Sequence, residues 1–347
     1  MRKILVVGEF VEGGASNSYL KVFSDLRYDA QAFNIKKKYF PSVFFSLPKL
    51  SYLFFKINDF LINLRLKRLV KRVSPDLIFI AKCENLSYKT IRFLKNKLNC
   101  KIINFYPDNP FCFWSGNSNA NVLLSLPYYD CFLIWSKMLI PAIESAGCKK
   151  VFYFPFVFDE NIFDKDFLLD ENDLKQYKSD VCFVGTWEKD RQVWLEKLIK
   201  KMPNLDLAVW GNLWLEKLDK NSPLLPKIKD NAIYGDLMIK AFRSSKIVLN
   251  FIRRQNITSH NMRTVEVPAS KGFLLTERTF EQAEELFCEN ESISCFSDLE
   301  ELVFKIEFYF KNENERLRIA RNSWKHVKKY KLKDNLKVFL EKFEKGI

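Results

Sequence analysis

The densest group of chemically capable side chains lies in LNFIRRQNITSHNMRTVEVPASKGFLLT, residues 249–276. Arg253, Arg254, His260, Arg263 and Glu266 fall within fourteen residues there, between two apolar runs. Guanidinium groups neutralise phosphates through paired N–H donors. A carboxylate near the start of a helix is placed to accept two ribose hydroxyls. Helical spacing also puts Arg263 and Glu266 on one face, so a plain i, i+3 ion pair is the alternative. Clustering beside Pro268 and Gly272 in a strand–helix–strand unit favours a binding site.

Three further motifs carry chemistry. FVGTWEKDR (183–191) sets Gly185 and Thr186 after a strand and Arg191 at the next helix start, where backbone amides and a cation suit a diphosphate. Arg191 as a solvated helix residue is the alternative. FYPDNPF (105–111) brackets Asp108 and Asn109 with prolines at a strand end, where ligands of open α/β sheets bind. Asp108 is expected to point into a cleft and act on an acceptor hydroxyl as base or acceptor; an Asx turn is the plainer outcome. GEFVEGGAS (8–16) places Gly13 and Gly14 between a strand and a helix, either as a ligand cradle on the acceptor side or as a tight turn. Its spacing is not that of a dinucleotide fingerprint.

Metal chemistry is not expected. The histidines are His260 and His326, and no two of the eight cysteines form C-x-x-C. The acidic pair in DKD (164–166) does not follow an apolar strand, which discounts it as a metal motif. The cysteines read as buried free thiols of a reducing cytoplasm. The apolar run Ile4–Val7 is too short for a signal peptide, and no window reads as a membrane span.

These residues need a scaffold. The 347-residue chain is 48% hydrophobic and 15% aromatic, which excludes a disordered protein and allows about two domains. Apolar strands alternate with helices: KILVVG (3–8), DLIFIA (76–81), KIINFY (101–106), CFLIW (131–135) and VFYFPF (151–156). A helix from Asn17 to Leu26, with Ser16 as its N-cap, follows the first. A second series begins at DVCFVG (180–185), then DLAVWG (206–211), AIYG (232–235), KIVLNF (246–251), GFLLT (272–276) and SISCF (292–296). Such alternation predicts two α/β, Rossmann-like domains with parallel sheets. The expected boundaries are 1–160 for the first domain, 161–178 for an acidic linker, 179–330 for the second domain and 331–347 for a C-terminal helix.

Charge is uneven. There are 56 Lys+Arg against 42 Asp+Glu, a formal net charge of +14. Residues 36–72 hold ten of the basic residues and one acid, Asp59, with aromatics interleaved. Two helices with aromatics inward and charges outward would explain this segment. An anionic membrane surface or lipid-linked partner would explain it too. No base-stacking module accompanies the charge, so nucleic acid is not the expected partner.

The order of these motifs resembles the donor-binding domain of GT-B glycosyltransferases, in particular the CgeB-like group named for a spore maturation protein. The matching residues are Gly185-Thr186-Trp187 with Arg191, Leu249-Asn250 with Arg253, and His260 with Arg263, Glu266, Ala269, Gly272 and Thr276. The tail FSDLEELVFKIEFYFKNENERLRIARNSWKHV is similar to that group, as is the PDNP turn. The resemblance implies two Rossmann-like domains facing across a cleft, with the last helix returning to the first. It implies a metal-independent, cofactor-free enzyme, cytoplasmic or peripheral on the inner membrane face, working in cell-surface glycan synthesis. Its donor would be a nucleotide sugar and its acceptor a saccharide or lipid-linked hydroxyl. Gly185, Thr186, Arg191, Arg253, His260, Arg263 and Glu266 would bind the donor, with Glu266 on the ribose. Many retaining members carry a second glutamate eight positions after the first, where this chain has Leu274; Glu277 is the next acid. A non-catalytic relative, a sugar epimerase and a basic nucleic-acid-binding protein are the alternatives.

Overall fold

The computed structural model describes residues 2–46, 50–98, 100–114, 116–165, 168–229, 232–256 and 258–346. The chain divides into two compact units, 1–155 and 156–347.

The first unit is built on strands β1 (Lys3–Gly8), β2 (Asp29–Asn34), β3 (Leu77–Ala81), β4 (Lys101–Tyr106), β5 (Cys131–Ile134) and β6 (Val151–Tyr153). All pair in parallel, in the order β2-β1-β3-β4-β5-β6. Helices α1 (Ala15–Asp25), α2 (Ser42–Ser46), α3 (Ser51–Val73), α4 (Tyr88–Leu98), α5 (Ala120–Ser125) and α6 (Ile140–Ser145) connect them. The central strands are buried on both faces because helices cover a parallel sheet. Tyr19 and Phe23 of α1 meet Phe79 of β3 with ring centroids 4.8 and 5.2 Å apart. Strand β2 carries no apolar run. It lies at the sheet edge, where only Phe33 needs burial, so its sequence gives little signal.

The second unit orders β7 (Ser179–Val184), β8 (Leu207–Trp210), β9 (Ser245–Asn250), β10 (Leu274–Glu277) and β11 (Ser294–Phe296) as β11-β10-β9-β7-β8. Its helices include α7 (Glu160–Phe163), α8 (Glu171–Tyr177), α9 (Lys189–Lys201), α10 (Trp214–Lys217), α11 (Gly235–Ser244), α12 (Arg263–Ala269), α13 (Leu299–Lys311), α14 (Glu313–Val327) and α15 (Leu332–Glu344). Residues Glu281–Leu286 wind as a π-helix. Phe183, Trp194, Phe251 and Phe296 interlock in the core, with neighbouring centroids 5.5–5.9 Å apart. Burying each such ring stabilises the unit by about 1.5–3 kcal/mol.

Four expectations change. Ser16 is not the N-cap of α1: Gly14 is, and Ser16 is buried in the first turn against Gly8. The run AIYG holds no strand at its described residues. Ile233 is buried in coil, Gly235 starts α11, and Val209 of β8 bridges Ile228 instead. The acidic segment 161–178 contains helices that pack on α11. Asp159, just before it, caps α7, and its own acids have local work: Asp170 and Asp173 form a capping box on α8, and Asp173 Oδ1 pairs with Lys240 Nζ at 2.6 Å. Among the cysteines, all free, Cys288 is exposed and Cys112 half-exposed. In the DKD motif, Asp164 pairs with Lys331 at 2.8 Å; Asp166 lies outside the described residues. No cluster of three metal-ligating side chains occurs among the described residues.

Candidate functional site

In an open parallel sheet, neighbouring strands whose connections leave in opposite directions open a crevice at their carboxyl ends. In the second unit that point lies between β7 and β9. The segment after β7 supplies Gly185, Thr186, Glu188 and Arg191, and the segment after β9 supplies Phe251 to Arg254. A cavity of about 230 Å³ opens there, lined by Glu188, Arg191, Trp194, Arg253, Arg254 and Glu277.

The backbone of this crevice is tightly set. Gly185 N donates to Trp210 O at 2.9 Å, and Trp214 Nε1 donates to Gly185 O at 2.8 Å. Gly211 has φ +152° and passes so close that a Cβ there would lie 2.0 Å from Gly185 O. No other residue fits that crossing.

Arg191, Arg253 and Arg263 converge on this backbone. Arg191 Nη1 donates to Thr186 O at 2.8 Å, and the guanidinium lies 5.6 Å over the Phe183 ring. Its nearest carboxylate, Glu188, is 3.8 Å away, and its buried Nε has no hydrogen-bond partner. Burial lowers the Arg191 pKa to about 10. Glu188 opposes that shift, and the charges of Arg253 and Arg263 add to it. Arg253 Nε pairs with Glu188 Oε1 at 2.5 Å, and Arg254 Nε pairs with Asp190 Oδ2 at 2.8 Å. Glu277 Oε2 accepts from Ile252 N at 2.9 Å, and burial raises the Glu277 pKa. Leu274, by contrast, is buried at the start of β10.

Arg263 begins α12. Its Nε donates to Val184 O at 3.1 Å, and its guanidinium pairs with Glu266. The i, i+3 ion pair allowed by the spacing is therefore present, and it points at the β7 carboxyl end rather than at solvent. His260 does something other than expected. It is fully buried, its Nε2 accepts from Phe156 N at 3.0 Å, and its Nδ1 lies 2.9 Å from Ser259 Oγ and 3.4 Å from Glu281. An imidazole with both ring nitrogens so engaged anchors the start of this unit and has no face for a ligand. Burial lowers its pKa despite Glu281. Glu281 belongs to the π-helix, a form that frequently marks functional neighbourhoods.

The first unit holds the residues expected on the acceptor side. Its own crevice lies between β1 and β3. Gly13 takes φ +71°, and Gly14 closes the turn by donating to Val11 O at 3.0 Å. Asp108, just past β4, is buried and pairs through Oδ2 with Lys82 Nζ at 2.6 Å. Lys82 and Cys83 take φ +60° and +112°, backbone that side chains disfavour and that is held most often at functional sites. Asn117 and Ser118 pin the loop from within: Asn117 Nδ2 donates to Cys112 O at 2.6 Å and Ser118 Oγ to Pro110 O at 2.7 Å. Phe113 and Trp114 are left exposed on that loop.

Lys82, Glu188, Glu277 and the Phe113–Trp114 platform went unassigned in the sequence. Lys82 and Asp108 are 26 positions apart and meet only because β3 and β4 pair. The FCFW run after PDNP was the one available signal, since aromatics beside a strand end are costly to leave exposed.

Residues 191–340 match the glycosyl transferase-like family model. No curated protein matches the chain by sequence. The fold is similar to the sucrose-phosphate synthase of Thermosynechococcus elongatus, at 10% identity and a TM-score of 0.74, covering 99% of each chain. It is also similar to Anabaena HepE in complex with UDP-glucose, at 13% identity and a TM-score of 0.70, covering 99% of this chain and 100% of that one. TarM superposes at 9% identity and a TM-score of 0.65, covering 98% of both. With two parallel-sheet units, and a glycosyl transferase-like region over most of the second, this chain has the GT-B fold.

Proposed function

We infer that the protein transfers a sugar from a nucleoside-diphosphate sugar to a hydroxyl of a saccharide or lipid-linked acceptor, and that it does so without a metal ion. The observation that carries this is Arg191: a largely buried guanidinium at the mouth of the β7–β9 crevice, with an unpartnered Nε and its paired carboxylate, Glu188, as far off as 3.8 Å. A diphosphate would supply the missing acceptors. The N-terminus of α9 adds its own partial positive charge. The UDP-glucose bound in Anabaena HepE supports the donor class. The motif order favours the CgeB-like group within the GT-B enzymes.

In this reading Arg191, Arg253 and Arg263 hold the diphosphate, and Gly185 and Thr186 close over it. Glu266 receives the ribose hydroxyls once Arg263 turns to phosphate. As the anomeric C–O bond breaks, the bonding pair goes to the diphosphate, and the guanidinium groups stabilise that developing charge. The acceptor oxygen forms the new bond, and its proton passes to Asp108, which Lys82 holds in place. Phe113 and Trp114 offer apolar faces for a sugar ring. The work would serve glycan synthesis at the cell surface, from the cytoplasmic side.

A thermal-shift screen of nucleoside diphosphates with and without EDTA tests this. One nucleotide should raise Tm selectively, by an amount tracking RT ln(1 + [L]/Kd), and EDTA should not change it. A Tm unmoved by every nucleotide, or a shift abolished by EDTA, would overturn the donor reading or its metal independence respectively.

A further inference from the structure

Helix α3 is 23 residues long, about 34 Å from end to end. Its inner face is Asn58, Ile62, Leu66 and Val70, one residue per turn, all buried. The two asparagines fasten it. Asn58 Oδ1 accepts from Tyr39 N at 2.9 Å, and Asn63 Nδ2 donates to Asn85 O at 3.1 Å. The outer face, read at helical spacing, is Leu53, Lys56, Phe60, Leu64, Lys67 and Lys71, of which Leu64 and Lys67 are half-exposed and Lys67 and Lys71 hold their ammonium groups 5.3 and 5.4 Å over the Phe93 ring of α4.

That outer face is unusual at its N-terminal half, where Leu53 is 52% and Phe60 65% exposed; beside it Tyr52 is 71% exposed, and Phe55, packed 4.9 Å from Phe45, is 50% exposed. Single exposed apolar side chains are ordinary, but a contiguous group marks an interaction site. Cations surround the group. Lys56 Nζ lies 5.3 Å over the Tyr52 ring and Lys38 Nζ lies 5.2 Å over Phe45. Lys36, Lys37 and Lys38 are exposed on the segment that leads into α2, Lys36 pairing with Glu9 at 3.0 Å. Behind it, Phe40, Phe44 and Phe54 pack together, with centroids 4.8–5.3 Å apart, and stiffen the α2–α3 pair.

We propose that this face docks the protein on an anionic phospholipid bilayer, with α3 lying along the surface. Tyr52, Leu53 and Phe60 enter the headgroup boundary, and Lys56, Lys67, Lys71 and the 36–38 lysines meet lipid phosphates. Charge selects this occupant. Ten basic residues against one acid in 36–72 would repel a second copy of the same face. A nucleic acid would satisfy the lysines and leave Leu53 and Phe60 in water. No described helix is long and apolar enough to cross a membrane, so the contact is interfacial. The proposal stands independently of the donor reading.

The test is flotation of the full chain with vesicles of phosphatidylcholine alone, or with about one third phosphatidylglycerol. The protein should float with the anionic vesicles only. Raising salt from about 0.1 to about 0.5 M should weaken binding at least about tenfold. Leu53→Ser/Phe60→Ser and Lys67→Glu/Lys71→Glu should each weaken it about tenfold or more, with Tm and circular dichroism unchanged. Equal retention on neutral vesicles, or none on anionic ones, would overturn the proposal. So would a dimer in light scattering that Leu53→Ser/Phe60→Ser disperses, since that would make the face a protein interface. The nucleotide-induced Tm shift should survive both variants, which separates a failure here from a failure of the donor reading.

Discussion

The second unit contains two arginine centres built on opposite principles. Around Arg278 every charge is answered: Nη2 reaches Glu289 Oε1 at 2.7 Å and Glu301 Oε1 at 2.6 Å, Nε reaches Glu289 Oε2 at 2.8 Å, and Lys305 closes the group. Around Arg191 the answer is incomplete. One N–H rests on a backbone carbonyl, the Nε is unpartnered, and Arg253 and Arg263 add like charge. The first arrangement fastens the end of β10 to α13. The second leaves guanidinium donors unmatched in a crevice, a cost that folding does not recover but an anion can. An arginine's function is therefore read from what its donors lack.

The largest expected effect comes from breaking the saturated centre. Arg278→Ala leaves Glu289 and Glu301 to share Lys305 alone as a cation and should cost about 3 kcal/mol of stability by urea titration. Arg278 holds the Glu301 carboxyl below its usual range, and it does the same for Glu289 against the opposing effect of burial. The wild type should thus lose this stability as pH falls through the depressed carboxylate range, and the variant should show a flatter acid limb. A variant as stable as wild type would mean the network is ornamental.

Arg191→Leu reverses the pattern. Removing a poorly paired buried cation should leave stability unchanged or raise it. Affinity for the best nucleoside diphosphate, measured by calorimetry, should drop about 10–100-fold through loss of a charge-assisted contact. Loss of stability with intact nucleotide affinity would put Arg191 in the structural class and remove the contrast.

Glu277→Gln is a smaller probe. Burial raises the Glu277 pKa, so the folded state keeps that proton longer than the unfolded chain does. Stability should fall as pH rises from the ordinary carboxylate value toward the raised one, and the glutamine variant should lack that decline. Denaturation midpoints at pH 4.5 to 7 check it, and identical profiles would contradict the shift.

The smallest effect belongs to His260. Its pKa is lowered by burial, so protons favour the unfolded chain and stability should fall as pH drops below about 6.5. His260→Asn should shrink that loss, though only in part, because burial lowers His326 as well. A nucleotide affinity that collapses in His260→Asn at unchanged stability would return the ring to the binding site.

What the sequence disclosed follows from where its signal is local. Strands β1, β3, β4, β7 and β9 are legible because burial on both faces demands unbroken apolar runs. Edge strand β2 demands almost none, and AIYG imitates a strand in four residues too few to decide. The acids of 159–173 look like a spacer, because capping is a statement about neighbours and not about composition. Arg253, Arg263 and Glu266 stood out by density. Glu188 did not, since its partner Arg253 is 65 positions away. His260 stood among the right neighbours and was read as one of them, while its burial belongs to the packing of Phe156 and Glu281.

The crossing of Gly211 over the Gly185 carbonyl has a consequence for descent. Two backbones in contact leave no room for a side chain to vary, whichever nucleotide or sugar a lineage comes to use. Thr186 and Trp187, one step along, are under no such constraint. Specificity can thus drift around a point that cannot itself record change. In a saturation library selected for activity, position 211 should come back as glycine while its neighbours diversify.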